Sequence, residues 1–384
     1  MKKGVLIGII SICMIFVLIG CGANDSKKTT SKGTNNTSYT ALLYATDIFT
    51  DRDLNQDLDT SDATKYTLSS NEDITITEEG IYLISGKASN SSIIVDTDDN
   101  SKVQIVLSNV TINNSSKPCI YVKNADKVFV TSEGTNSLTV SSTFTSDGNT
   151  NTDAVIFSKD DLVLNGTGTI TISSSDNGIT SKDDLKITGG TINITCSSDA
   201  LEANNSIAIA NGNITINSKK DGLHAEYSDD DSVGYVYISG GTINITASDD
   251  AIHATTIVEI DNGNITTNSH EGIEATYIQI NDGTLNLQAT DDGMNAGNKS
   301  SKYETTIEIN GGSITIDMGT GDTDAIDSNG NIYIAGGTIN ITARSPFDYD
   351  GESKYTGGTI IVNGTETNQI TNQQMGGPQG GGRR

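Results

Sequence analysis

The sequence predicts an all-β chain wound as a parallel β-helix, a single solenoid of about 22 residues per coil. Three observations predict it. One phrase recurs: GGTINITASDDAIHA at 240–254 returns as GGTINITCSSDALEA at 189–203, NGNITINSKKDGLHA at 211–225, NGNITTNSHEGIEA at 262–275, DGTLNLQATDDGMNA at 282–296 and GGSITIDMGTGDTDAIDS at 311–328. Its second glycine-position residue falls at 168, 190, 212, 241, 263, 283, 312 and 337, so successive spacings are 22, 22, 29, 22, 20, 29 and 25. Each unit also holds short, β-branched, alternating runs such as VYI, TINIT and AIHA, too short for helix, with glycine pairs and Asp/Ser clusters at the corners between them.

Stacking explains the composition. Equivalent residues of successive coils lie about 4.8 Å apart, so inward Ile and Leu form continuous columns and outward Thr and Asn are placed to ladder. A chain that is 34% hydrophobic and has no Trp can then bury a core, because each coil shares it with two neighbours. A solenoid grows as one unit, so the 384 residues need no division into several domains.

The N-terminus reads MKKGVLIGIISICMIFVLIGC. Two lysines, an apolar run from Val5 to Ile19 and the lipobox Leu18-Ile19-Gly20-Cys21 resemble a bacterial lipoprotein signal, which implies cleavage and lipidation at Cys21. The expectation is a signal over 1–21, a Ser/Thr/Asn/Lys-rich tether over 22–38, and a protein held on the extracellular face of the cytoplasmic membrane through its lipid alone. The helix domain is expected over 39–365, with an N-terminal cap at 39–64, followed by a disordered Gly/Gln-rich tail at 366–384. The net charge of −26 argues against nucleic acid and against electrostatic attachment to anionic lipid. Cys119 and Cys196 lie several coils apart, too far for a disulfide, and read as small buried fillers in a chain expected to be monomeric.

Two columns carry candidate chemistry. The first is a corner column of acids: Asp176, Asp199, Asp221, Asp250, Glu271, Asp292 and Asp324, doubled by Asp249 and Asp291. Carboxylates stacked about 5 Å apart repel by about 1 kcal/mol per pair in water, and a divalent cation between coils reverses that sign. Calcium suits such corners because it takes six to eight oxygens, whereas the simpler alternative is that each Asp caps a corner amide. The second column lies three residues further on: Glu202, His224, His253, Glu274, Asn295 and Asp327, an outward polar stripe able to bind sugar hydroxyls or a transition metal, or to serve only as a solvated face. A third feature, DRDLNQDLDTSD at 51–62, has acids or Asn at the ligand spacing of an EF-hand loop, but Gln56 replaces the turn glycine, Asp62 the final Glu and no clear helices flank it, which favours an acidic cap loop over a calcium loop.

For sugar recognition the chain offers Tyr227 and other tyrosines near the corners that carry the insertions 227–234 and 297–303. Lys219 and Lys220, before Asp221, are placed to pair with sugar carboxylates or, in a lyase, to act as base beside calcium; Lys182, before Asp183, is a second such position.

The segment SKDDLKITGGTINIT, the recurring D(A/G)I or D(A/G)L corner, the earlier FTDRDLNQDLDTSDATKYTLSSNEDITITEEGIYLISG and the closing FDYDGESKYTGGTIIVNG resemble the secreted carbohydrate-binding β-helix domains of clostridial-type bacteria, over roughly residues 44–375. The resemblance implies a right-handed helix similar to pectate lyases, bound calcium, and binding of plant cell-wall polysaccharide, notably acidic pectic chains and cellulose. The expected function is non-catalytic binding of acidic polysaccharide with calcium. The alternatives are a calcium-dependent polysaccharide lyase and a structural adhesin or envelope spacer.

Overall fold

The computed structural model describes residues 31–32, 38–56, 58–319 and 323–372. Cys21, the apolar run before it, most of the expected tether and residues 373–384 lie outside the described residues.

Each coil has three sides. A flank side is built from strands such as Asp184–Ile187, Ser206–Ile209, Tyr235–Ile238 and Ile257–Ile260. A ladder side follows, with Thr191–Thr195, Asn213–Asn217, Thr242–Thr246 and Asn264–Ser269. A stripe side completes the turn with three-residue strands such as Leu201–Ala203, Leu223–Ala225, Ile252–Ala254 and Ile273–Ala275, which belong to a separate 12-stranded sheet. Successive coils pair in parallel, residue to equivalent residue. Between ladder and flank, left-handed glycines make the corner. Gly241 has φ +95°, and a Cβ there would stand 3.0 Å from the Gly212 carbonyl of the coil below.

The registers stack Ile192, Ile214, Ile243, Ile265, Leu285, Ile314, Ile339 and Ile360 into one buried column. The neighbouring column runs Ile194, Ile216, Ile245, Thr267, Leu287 and Ile316. Cys119 and Cys196 are buried free thiols, and burial pushes both up to about 12.

The segment expected as an N-terminal cap lies instead along the flank side as a strap. Outward flank residues Lys186, Ala208, Tyr237, Glu259 and Gln279 form one column, and all are buried. The strap covers them. Gln279 Nε2 donates to the Thr40 carbonyl at 3.2 Å, Glu259 accepts the N–H groups of Leu42 and Leu43 at 3.0 and 2.7 Å, and Lys186 Nζ donates to the Ile48 carbonyl at 2.6 Å. Phe49 packs on Tyr237 with ring centroids 6.2 Å apart.

The EF-hand-like reading of 51–62 fails for the same reason. Asp51–Leu54 forms a helical turn closed by a capping box between Thr50 and Asp53. Asp53 is fully buried with Lys127 at 3.6 Å and Lys186 at 3.7 Å, so two ammonium groups already face the carboxylate that a calcium loop would need. At the other end the ordered chain passes residue 365. Thr365–Thr367 folds back antiparallel on Thr359–Val362, and Asn372 Nδ2 donates to the Tyr349 carbonyl at 2.6 Å.

Candidate functional site: the acidic corner and the polar stripe

The corner between the ladder and stripe sides is built by side chains that cross from one coil to the next. Asn177 Oδ1 accepts the N–H of Asp199 at 3.0 Å, Asp199 Oδ1 that of Asp221 at 2.9 Å, Asp221 Oδ1 that of Asp250 at 2.9 Å, and Asp292 Oδ1 that of Asp324 at 3.2 Å. A buried amide at a sharp corner has no strand partner, so the side chain below supplies one. Asn177 therefore opens the column, whereas Asp176, expected there, lies one residue earlier, level with Ser198 and Lys220.

Burial and crowding act on the remaining acids. Glu271 is pushed up to about 8 by burial and then by Asp250 and Glu274. Asp292 rises to about 7 through burial and then Asp327, and Asp327 to about 6 through burial and then Asp324. Asp199 and Asp250 are also raised, burial being the largest cause in each.

The stripe stacks in register: Thr180, Glu202, His224, His253, Glu274, Asn295 and Asp327. Glu202 accepts from Asn177 Nδ2 at 2.8 Å and Thr180 Oγ1 at 2.7 Å, and pairs with Lys182 at 3.3 Å. The two imidazoles stack, with centroids 4.8 Å apart and planes 10° from parallel. Nδ1 of His224 lies 2.5 Å from Asp221 Oδ2, and Nδ1 of His253 lies 3.0 Å from both Asp250 Oδ2 and Glu274 Oε2. Burial opposes a charge on His253, but hydrogen bonds with the surrounding carboxylates outweigh it and push its pKa up to about 11. His224 is raised as well, Asp221 overcoming burial. Asn295 Nδ2 donates to Glu271 Oε2 at 3.1 Å, tying stripe to corner.

Four acid or His/acid groups along these columns have ligand atoms within 4.8 Å of one another and are able to coordinate a metal: Asp221–Asp249–Asp250, His270–Glu271–Asp291, Asp250–His253–Glu274 and Asp221–His224–His253. Among the described residues, Asp199, Asp292 and Asp324 join no such group. A further set, Asp161–Asp183–Asp184, lies at the flank corner.

The two insertions meet. Ser301 donates through its N–H and Oγ to Asp231 at 3.1 and 3.2 Å, and Lys302 Nζ donates to the Ser232 carbonyl at 2.9 Å, contacts that span 70 residues of sequence. Beneath them is a pocket of about 280 Å³ lined by Glu226, Tyr227, Ser228, Asp231, Thr255 and Lys299. Lys299 pairs with Glu274 at 2.8 Å and Glu226 lies 3.3 Å from His253 Nε2, so the pocket opens beside the stripe. The repeat does not mark Glu226 or Lys299, although Glu226 directly follows one stripe strand and Lys299 lies three residues after another, each where an insertion begins. Lys219 and Lys220 are exposed at the corner, and Lys220 favours the charged forms of Asp176 and Asp199.

Comparison with known proteins agrees with this architecture. A family described as carbohydrate-binding domain-containing protein matches residues 70–319 and 267–375. A protein of that description from Acetivibrio thermocellus is 43% identical over 203 residues, 51% of this chain and 70% of the relative. The solved structure of the polysaccharide lyase-like protein from C. thermocellum, a gadolinium derivative, matches with a TM-score of 0.51 at 30% identity, over 58% of this chain and 94% of that one. The chain thus belongs to the carbohydrate-binding domain-containing family, on a right-handed parallel β-helix of the pectate-lyase type.

Proposed function

We propose that this chain is a lipid-anchored surface protein that binds acidic, polygalacturonate-like polysaccharide without cleaving it, with calcium in its acidic corners. The observation that carries the reading is the joining of two distant insertions over a pocket that offers Lys299 and the half-exposed Tyr227 at the edge of the stripe. An acidic polymer approaching a chain of net charge −26 needs positive charge at the contact. Lys299 supplies some, and calcium held by Asp221, Asp249 and Asp250, or by Glu271 and Asp291, would supply more. The upward shift at Glu271 fits this role, since burial and then the neighbouring Asp250 and Glu274 penalise the charge of a carboxylate that belongs to one of these groups. The lipobox at Cys21 supports placement outside the cytoplasmic membrane.

The lyase-like solved relative favours a second reading, a calcium-dependent lyase with Lys219 or Lys220 as base. One experiment tests both. Full-length protein is incubated with polygalacturonate in calcium or in chelator. Calcium-dependent retention with no rise in ultraviolet absorbance supports binding; unsaturated product overturns it in favour of the lyase; neither, across several polysaccharides, leaves a structural spacer.

A further inference from the structure

The stripe column does not begin at Thr180. The register carries it back through Phe157, Tyr121 and Ile94 to Thr75, so its first coils hold apolar side chains where its later coils hold acids and imidazoles. Tyr121 and Phe157 meet edge to face, with ring centroids 5.8 Å apart and planes at 71°. Lys123 Nζ stands 5.2 Å from the Tyr121 centroid and Lys182 Nζ 5.8 Å from that of Phe157, so an ammonium group lies over each ring.

Another insertion leans over these coils. Residues 141–153 join the ladder strand Thr135–Val140 to the stripe strand Ala154–Ser158. The Thr145 N–H donates to the Ser116 carbonyl at 2.7 Å, and Asp147 accepts from Tyr121 Oη at 3.2 Å. Beside it lies a recess of about 170 Å³ with Ile94, Pro118 and Tyr121 as its apolar floor. At its rim Lys117 pairs with Asp73 at 2.5 Å and Lys123 with Asp147 at 2.7 Å.

Charge decides what such a recess takes. Both rim lysines are already matched by a carboxylate, and among the described residues no group able to hold a metal includes a residue before Asp161. A free uronate carboxylate would meet neither an unmatched rim ammonium nor a calcium ion, and would lose its water against hydrocarbon. A methyl ester carries no such charge, and its methyl group gains by leaving water for Ile94, Pro118 and Tyr121.

We propose that this recess is a subsite for a methyl-esterified uronate of the same polymer whose free carboxylates meet calcium further along the stripe, an inference that rests on the acidic-polysaccharide reading. Four coil steps separate Tyr121 from His224, which at about 4.8 Å each sets the two regions about 19 Å apart on one face. A chain that fills both carries esterified and free stretches in succession.

The test compares retention of full-length protein, in calcium, on polygalacturonate and on the same polymer methyl-esterified in blocks, so that free stretches remain. Esterification should tighten binding about fourfold, the equivalent of burying one methyl group. Ile94→Asn, at a half-buried outward position, should bring the two polymers to equal affinity with circular dichroism unchanged, whereas Ile94→Val should keep the preference. A second readout needs no polymer: the methyl ester of methyl galacturonoside should show saturation-transfer NMR at its ester methyl, lost in Ile94→Asn and absent for the free acid. Failure of both polymers to bind, with the ester signal intact, would sink the polysaccharide reading and keep the recess. Retention of both polymers alike, absence of the ester signal, or its survival in Ile94→Asn would overturn the recess and leave that reading standing.

Discussion

Asp221 joins two coils through one carboxylate: Oδ1 accepts the N–H of Asp250 at 2.9 Å, and Oδ2 holds Nδ1 of His224 at 2.5 Å. Asp221→Ala leaves a buried amide unsatisfied and should lower stability by about 1–3 kcal/mol, read as a shift in the urea midpoint. Asp221→Asn should recover most of that loss. The chain itself shows why, since Asn177 makes the same bond to Asp199. If the two variants unfold alike, the inter-coil cap is not what Asp221 contributes.

Thr267 interrupts an apolar column between Ile245 and Leu287, and its hydroxyl is fully buried without a hydrogen-bond partner. Val has nearly the same shape and no polar atom. Thr267→Val should therefore raise stability by about 1 kcal/mol, measured as a higher melting temperature. A lower melting temperature would mean that the hydroxyl has a partner, such as a trapped water.

The raised carboxylates set the pH response. Glu271 at about 8, Asp292 at about 7 and Asp327 at about 6 bind protons more tightly folded than unfolded. Their stabilisation is full below the ordinary carboxylate range and is lost as pH climbs through the raised values. Glu274 is depressed, because His253 and Lys299 outweigh its burial, and so it stays ionised throughout this window. In chelator the melting temperature should fall from about pH 5 to about pH 8. Calcium should flatten the slope by stabilising the charged corners at the upper end. Some slope should persist, because Glu259 under the strap is raised as well, chiefly by burial. Identical slopes with and without calcium would remove the ion from the corners.

Asp53→Ala would leave Lys127 and Lys186, with side chains 11% and 9% exposed, without their shared acid. Breaking a buried charge cluster at one member costs about 3–5 kcal/mol. The loss should appear first as protease cleavage within 39–56, before the coils unfold. Unchanged cleavage kinetics would show that the strap is held elsewhere.

The stripe was legible because it depends on counting: three residues beyond the corner, from Glu202 to Asp327, every strand confirms the alignment. The error at Asp176 came from matching residue identity; counting five on from Ile172, as Asp199 follows Ile194, gives Asn177. The strap was not legible as such, since Asp53 and Lys186 share no local pattern. One clue was present. Flank strands such as SIAI and YVYI are apolar at every position or nearly so, where a strand exposed on one face would alternate. An unbroken run signals cover on both faces. Glu226 and Lys299 escaped because insertions break the repeat that made the other positions comparable.

The strap also decides how the molecule bears tension. A pull applied at Tyr39 meets the strap at its far end, beside Gln279 and Glu259, and not the first coil, which begins at Thr64. The contacts to Gln279, Glu259, Lys186 and then Thr188 and Gly166 would yield in turn, as a zip opens. Slack would be paid out before any inter-coil ladder is loaded, so the flank works as a shock absorber for the coils behind it.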